Sequence, residues 1–183
     1  YKEIFKIIGN AKNIIHIQSN FNIPKNKNIS QIRQTNGDNL MDMSPYAAAI
    51  MILFYKKKFK INIRKVFYGK TKLVKNFSIF CHSKKLTYFG NFGNEREYLS
   101  DIKFFSKKKI ISINHQAFAL PPNKKILLTV KENNNFFNVN SPKDDAIKNF
   151  MNDILKSIKN KKYKNYYNNI FYDAYIRDQL RKQ

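Results

Sequence analysis

The feature that most limits how this chain can fold is its charge: 35 Lys and Arg against 12 Asp and Glu, a formal net charge of +23 over 183 residues. The basic positions run along the whole length. Such an excess repels itself in any compact state, so folding requires a sizeable apolar core and anions to neutralise the surface. The core is available, because 43% of the residues are hydrophobic and 15% aromatic, enough for one domain of this length. For the surface, a pI near 10.0 predicts a polyanionic partner, nucleic acid above all, whose phosphates form a dense row of negative charge. Thirty lysines against five arginines is in part the mark of an AT-rich genome, but the scarcity of acids is not.

Cys81 is the sole cysteine, which excludes an internal disulfide and a Cys-rich zinc site, and its place in an alternating apolar run predicts a buried small hydrophobe. His16, His82 and His115 lack metal-ligand spacing, and no Gly-rich phosphate loop, His-Glu metal motif or nucleophile elbow occurs. The sequence therefore predicts no catalytic residue, no metal and no cofactor. Beginning at Tyr1, without a Met or an Arg-rich leader, the chain reads as a processed product. The longest apolar run, Met43 to Tyr55, is too short to span a bilayer. Ser44 as N-cap and Pro45 at the first helical position make it a buried helix ahead of Lys56, Lys57 and Lys58.

Three parts follow from composition and patterning: residues 1–70, an N-terminal extension with that helix; residues 71–160, a patterned α+β core; and residues 161–183, a basic aromatic tail. In the core, Leu73 to Cys81 alternates as a half-buried strand. Asn94 with Glu97 has the form of a capping box, and Tyr98, Leu99, Ile102 and Phe105 then follow at helical spacing up to Lys107, Lys108 and Lys109. Strands are predicted at Ile110–Ile113 and Lys125–Lys131, and Ser141, Pro142 and Asp144 open a second helix with Ile147, Phe150, Met151, Ile154, Leu155 and Ile158 on one face. The order strand, helix, strand, strand, helix suits a split βαβ sheet completed by one further strand. In the tail, Lys161, Lys162 and Lys164 interleave with Tyr163, Tyr166 and Tyr167, a mixture that suits phosphates and unpaired bases.

The run Ala117 to Lys125, with Leu120, Pro121 and Pro122, followed by Thr129-Val130 and by Ser141-Pro142 ahead of a helix containing Phe150, resembles the middle of the small-subunit ribosomal protein 10 family. The resemblance implies a ferredoxin-like split βαβ sandwich with a long hairpin loop, flanked by extensions. It implies a structural constituent in the head of the small subunit of an organellar ribosome, the mitochondrial one. The implied partners are ribosomal RNA and neighbouring small-subunit proteins, with no enzyme activity, small-molecule substrate or membrane span. The RNA contacts expected on this reading are the tip (Leu120, Pro121, Pro122, Lys124, Lys125), the cluster Lys56, Lys57, Lys58, Lys60, Arg64 and Lys65, and the tail lysines Lys161, Lys162 and Lys164. Two alternatives stand beside it. Phe136 to Val139 followed by Ala146-Ile147-Lys148 resembles large-subunit ribosomal protein 23, and the charge alone admits an architectural DNA-binding protein, although no helix-turn-helix, zinc finger or basic zipper occurs.

Overall fold

Strand β1 (Ile14–Ile23) sits inside an eight-stranded mixed sheet in the computed structural model, which describes residues 2–24, 38–54, 59–118 and 122–183. Its companions are β2 (Lys60–Phe67), β3 (Val74–His82), β4 (Thr87–Asn94), β5 (Leu99–Ser106), β6 (Lys109–Ile113), β7 (Leu127–Glu132) and β8 (Asn135–Asn140). The spatial order is β2-β3-β4-β1-β5-β6-β7-β8. β1 runs parallel to β4, and the other neighbouring pairs are antiparallel. Four α-helices accompany the sheet among the described residues: α1 (Lys2–Ile8), α2 (Asn39–Phe54), α3 (Ala146–Lys159) and α4 (Lys164–Lys182).

Period-two burial explains the strands. In β1, Ile17, Ser19 and Phe21 are buried while His16, Gln18 and Asn20 are only half-buried; in β4, Tyr88, Gly90 and Phe92 are buried and Phe89 is exposed. The buried side is covered by α2, whose Leu40, Met43, Ala47, Ala48, Ile50 and Met51 point into the core. α4 packs against α2 and supplies Ile176 and Leu180 to the same core. Residues before position 70 therefore provide a central strand, an edge strand and the principal covering helix.

Gly90 is required by a close approach. It pairs with Ser19, and the Tyr88 side chain reaches over it so that the Tyr88 and Ser19 hydroxyls share a hydrogen bond of 2.8 Å. A Cβ at Gly90 would lie 2.6 Å from Tyr88 Oη, 2.7 Å from Phe92 Cε2 and 3.0 Å from Ile79 Cγ1. Gly90→Ala is therefore expected to lower stability by about 2–3 kcal/mol through overpacking and a weakened buried hydrogen bond. Chemical denaturation reads this as a lower midpoint, and an unchanged midpoint would show that the core yields at no expense.

The expected ferredoxin-like split βαβ sandwich is not the fold; the chain forms one eight-stranded mixed sheet instead. The predicted helix after Asn94 is β5, and its last residues, Lys107 and Lys108, form the turn into β6. The segment carries two periods at once. Tyr98, Leu99, Ile102 and Phe105 fit a helix, but Ser100, Ile102 and Phe104 are the buried residues, and they pair with Phe21, Ser19 and Ile17 of β1. Sheet pairing outweighs the local helical spacing. Asn94 ends β4 and donates its amide to Asn39, 2.7 Å away, so it caps nothing.

The Asn-rich stretch is a hairpin. Asn133 and Asn134 both take positive φ, 50° and 65°, the conformation of a two-residue turn that joins β7 to β8. α2 begins at Asn39, with the Asp38 carboxylate accepting from Leu40 N at 2.6 Å, so Ser44 and Pro45 lie inside the helix and do not start it. α3 is capped by Asp145, whose carboxylate accepts from Lys148 N at 2.9 Å. Its apolar face does not fasten the sheet: Ile147, Phe150, Met151, Leu155 and Ile158 are all exposed.

Candidate functional site

The two parallel strands end together, with Ile23 of β1 beside Asn94 of β4. In sheets with parallel strands, ligands collect outside the carboxyl ends. That end of this sheet gathers buried polar side chains. Asn39, at the start of α2, donates to the Lys75 carbonyl at 2.6 Å and to Tyr68 Oη at 3.3 Å, and accepts from Asn94. Lys75 in turn is ion-paired with Glu95 and lies 5.5 Å from the centre of the Tyr68 ring. Asn39 and Asn94 are both buried, so the network ties the start of α2 to β3 and the end of β4 in a low-dielectric setting. Glu95, the residue after β4, holds a left-handed φ of 60°.

On the opposite face of the sheet, Asn22 and Asn76 flank Gly93, with which both are in register. Each is buried, and each has an amide oxygen without a hydrogen-bond partner among the described residues. Unpaired buried oxygens destabilise a fold by about 1–3 kcal/mol each, and natural proteins retain them where another demand outweighs stability. No cluster of three His, Cys, Asp or Glu that could hold a metal ion occurs among the described residues.

α2 adds Asp42 and Tyr46, one turn apart. The Tyr46 ring is held edge-on by Phe21, with centroids 4.8 Å apart, and by Phe118 at 5.7 Å. Its hydroxyl makes no hydrogen bond among the described residues. A phenol with a fixed ring and an unengaged hydroxyl can carry a proton to or from a bound ligand.

Elsewhere in the core, burial governs the titrating groups. Cys81 is fully buried, its Sγ 3.8 Å from Met51 Sδ, and desolvation pushes its thiol up to about 12. Tyr172 is likewise pushed up to about 12, first by burial and then by Tyr175 and Cys81. For both groups the folded value exceeds the unfolded one, 9.0 for Cys and 10.0 for Tyr, so their contribution to stability is complete below pH about 9 and is lost as pH rises towards 12. Stability is expected to fall over that window, by at most about 1.4 kcal/mol per pH unit for Cys81 and by less for the partly exposed Tyr172, where solvent screens the effect, with Cys81→Ala removing the thiol's part of the slope. Denaturation midpoints at pH values across the window check this, and an unchanged slope in Cys81→Ala would contradict it.

Among the described residues, those expected to bind RNA do not converge. Leu120, Pro121, Lys56, Lys57 and Lys58 lie outside the described residues. Pro122, Lys124 and Lys125 are exposed beyond β6, where Lys124 bridges to Asp144. Lys60 and Arg64 are exposed on the opposite edge strand, β2, and Lys65 donates to the Arg181 carbonyl at 3.0 Å. Lys161 and Lys162 are exposed in the α3–α4 connection, where Lys161 has a φ of 52°, and Lys164 opens α4. The polar network at Asn39, Lys75, Asn94 and Glu95 went unseen in the sequence, because Asn is abundant throughout this chain and a buried Asn looks like a loop Asn.

No family model matches the chain, and no curated protein matches it in sequence. Solved structures do match in fold. KijD10, a 3-ketoreductase from Actinomadura kijaniata solved with NADP and TDP-benzene, superposes with a TM-score of 0.85 at 14% identity, over 99% of this chain and 57% of that one. Its open conformation gives 0.78 at 14% identity, over 92% and 52%. The UDP-N-acetylglucosamine 3-dehydrogenase GnnA from Acidithiobacillus ferrooxidans gives 0.65 at 12% identity, over 87% of this chain and 49% of that one. The fold is shared with a 3-ketoreductase and a UDP-N-acetylglucosamine 3-dehydrogenase. The chain spans about half the length of these proteins.

This overturns the resemblance to small-subunit ribosomal protein 10, along with its large-subunit and DNA-binding alternatives. Ser141 and Pro142 lie in the connection between β8 and α3, the Leu120-Pro121 match falls outside the described residues, and the sheet around them has a different strand order and number. The expected ribosomal function, the ribosomal RNA and ribosomal protein partners, and the expectation of neither enzyme activity nor a small-molecule substrate fall with it, since the structures sharing the fold are enzymes, KijD10 among them solved with NADP and TDP-benzene. No helix among the described residues is long and apolar enough to cross a membrane.

Proposed function

We propose that this chain forms the sheet half of an NADP-dependent oxidoreductase acting on a nucleotide-linked sugar, and that it binds the sugar at the carboxyl ends of β1 and β4. The observation that carries this reading is the fold, shared with KijD10 over 99% of the chain. The residues present do not fit the dinucleotide itself. The glycines, at positions 9, 37, 69, 90 and 93, form no Gly-x-Gly-x-x-Gly turn, and the described sheet has a single parallel pair in place of a doubly wound parallel core. The chain's share of the reaction is therefore to bind and orient the sugar and to move the proton at its reacting oxygen.

Tyr46 is the proton carrier on this reading, its ring fixed by Phe21 and Phe118 and its hydroxyl left for the ligand. Asp42, a turn earlier on α2, offers a carboxylate to sugar hydroxyls, and the Asn39–Asn94 bond holds the start of α2 against the end of β4. Calorimetric titration with a TDP- or UDP-linked sugar tests this. Saturable binding weakened about tenfold or more by Asp42→Ala is the expected result. Absence of binding, or binding indifferent to Asp42→Ala and Tyr46→Phe, would remove the site from this end of the sheet.

A further inference from the structure

Three loops converge at the other end of β1, about 30 Å from the candidate site at ten residues of strand rise. The register brings them together. Ile14 pairs with Ser106 and His16 with Thr87, so the α1–β1 connection meets the β5–β6 turn and the β3–β4 turn. Between them lies an open cavity of about 610 Å³, a size that suits a small ligand. Lys12, Lys85, Lys107, Lys108 and Lys109 all line it, and no carboxylate among the described residues does.

Lys109 is paired with Glu132 at 3.2 Å, but Lys12, Lys85, Lys107 and Lys108 have no ion-pair partner among the described residues. The β5–β6 turn that carries two of them is fixed by Ser106, whose Oγ accepts from Lys109 N at 2.9 Å and donates to the Lys109 carbonyl at 3.0 Å. Four unpaired ammonium groups around one hollow repel one another, and the arrangement is stabilised by an anion of matching charge. A diphosphate brings about three negative charges at neutral pH, more than a single phosphate supplies. Ile8 and Ile15 complete the wall, and Ile15 is 44% exposed, an apolar surface on which a base can lie.

We propose that this cavity binds a nucleoside diphosphate, the lysines holding the phosphates and Ile15 meeting the base. The site is separate from the proposed reaction site and does not depend on that reading. The test titrates ADP and inorganic pyrophosphate into the whole chain by calorimetry. ADP is expected to saturate one site per chain and to bind more tightly than pyrophosphate. Lys107→Ala with Lys108→Ala is expected to weaken ADP about tenfold or more, whereas Lys148→Ala with Lys156→Ala, which removes the same charge from α3, leaves it unchanged.

Equal losses in the two double variants would mean undirected attraction to a basic surface and would overturn the site, as would the absence of saturation. Equal affinity for ADP and pyrophosphate would overturn the base contact. Should the turn variant unfold, Lys12→Ala with Lys85→Ala makes the same test from the other two loops. Tyr46→Phe should leave ADP binding untouched, so failure here and failure of the proposed reaction are read separately.

Discussion

Replacing Phe92 by Ala is expected to remove about 3–5 kcal/mol of stability. Phe92 is fully buried on β4 and in register with Phe21 on β1 and Phe77 on β3, so one row of aromatic rings crosses the three strands. It stacks on Phe77 with centroids 5.1 Å apart and meets Phe118 at 6.3 Å. Phe118 also touches Phe21 and Tyr46. The substitution therefore opens a cavity beneath the parallel pair and beside the ring that fixes the candidate proton carrier. Equilibrium denaturation measures the loss, and a change under about 1 kcal/mol would mean that the aromatic row is not what holds β4 in place.

Tyr46→Phe separates chemistry from packing. The ring contacts with Phe21 and Phe118 survive the change and the hydroxyl has no structural partner among the described residues, so stability is expected to stay within about 0.5 kcal/mol. Turnover is another matter. On the proposed reading, loss of the general acid or base is expected to lower kcat by about 10²–10⁴ with little change in KM. NADPH consumption with a keto sugar nucleotide reads this directly. Unchanged kcat would move the proton carrier to another side chain, and a large loss of stability would make the hydroxyl structural.

Part of this architecture was legible in the sequence. The alternation from Leu73 to Cys81 is β3, and the apolar runs near Ile110 and Leu127 are β6 and β7, because half-buried strands write their faces into local order. β5 was hidden by Ser100. It is fully buried and its Oγ accepts from Phe118 N at 3.2 Å, so a strand position occupied by a polar residue broke the alternation that hydrophobicity reveals. Ser19 did the same in β1, where the Tyr88 hydroxyl satisfies it. The parallel pairing of β1 with β4 joins residues about 70 positions apart, and no local pattern announces such a contact.

Charge misled in a different way. Lysines are spread over both sheet edges, the turns and the exposed sides of α3 and α4, and their number says nothing about which of them meet. Only the register shows that Lys12, Lys85, Lys107 and Lys108 share one hollow while Lys60, Lys124 and Lys162 do not. The candidate reaction site was invisible for a related reason. Asn22, Asn39, Asn76 and Asn94 become distinctive only through their burial at one end of the sheet.

Amide hydrogen exchange of the chain with and without a TDP-linked sugar tests the central claim most directly. Protection gathering over Asn39 to Ala47 and over the turn after Asn94 is the result expected of a sugar site at the carboxyl ends of β1 and β4. Exchange unchanged there, or protection confined to Ser106 to Lys109, would place the ligand elsewhere and contradict it.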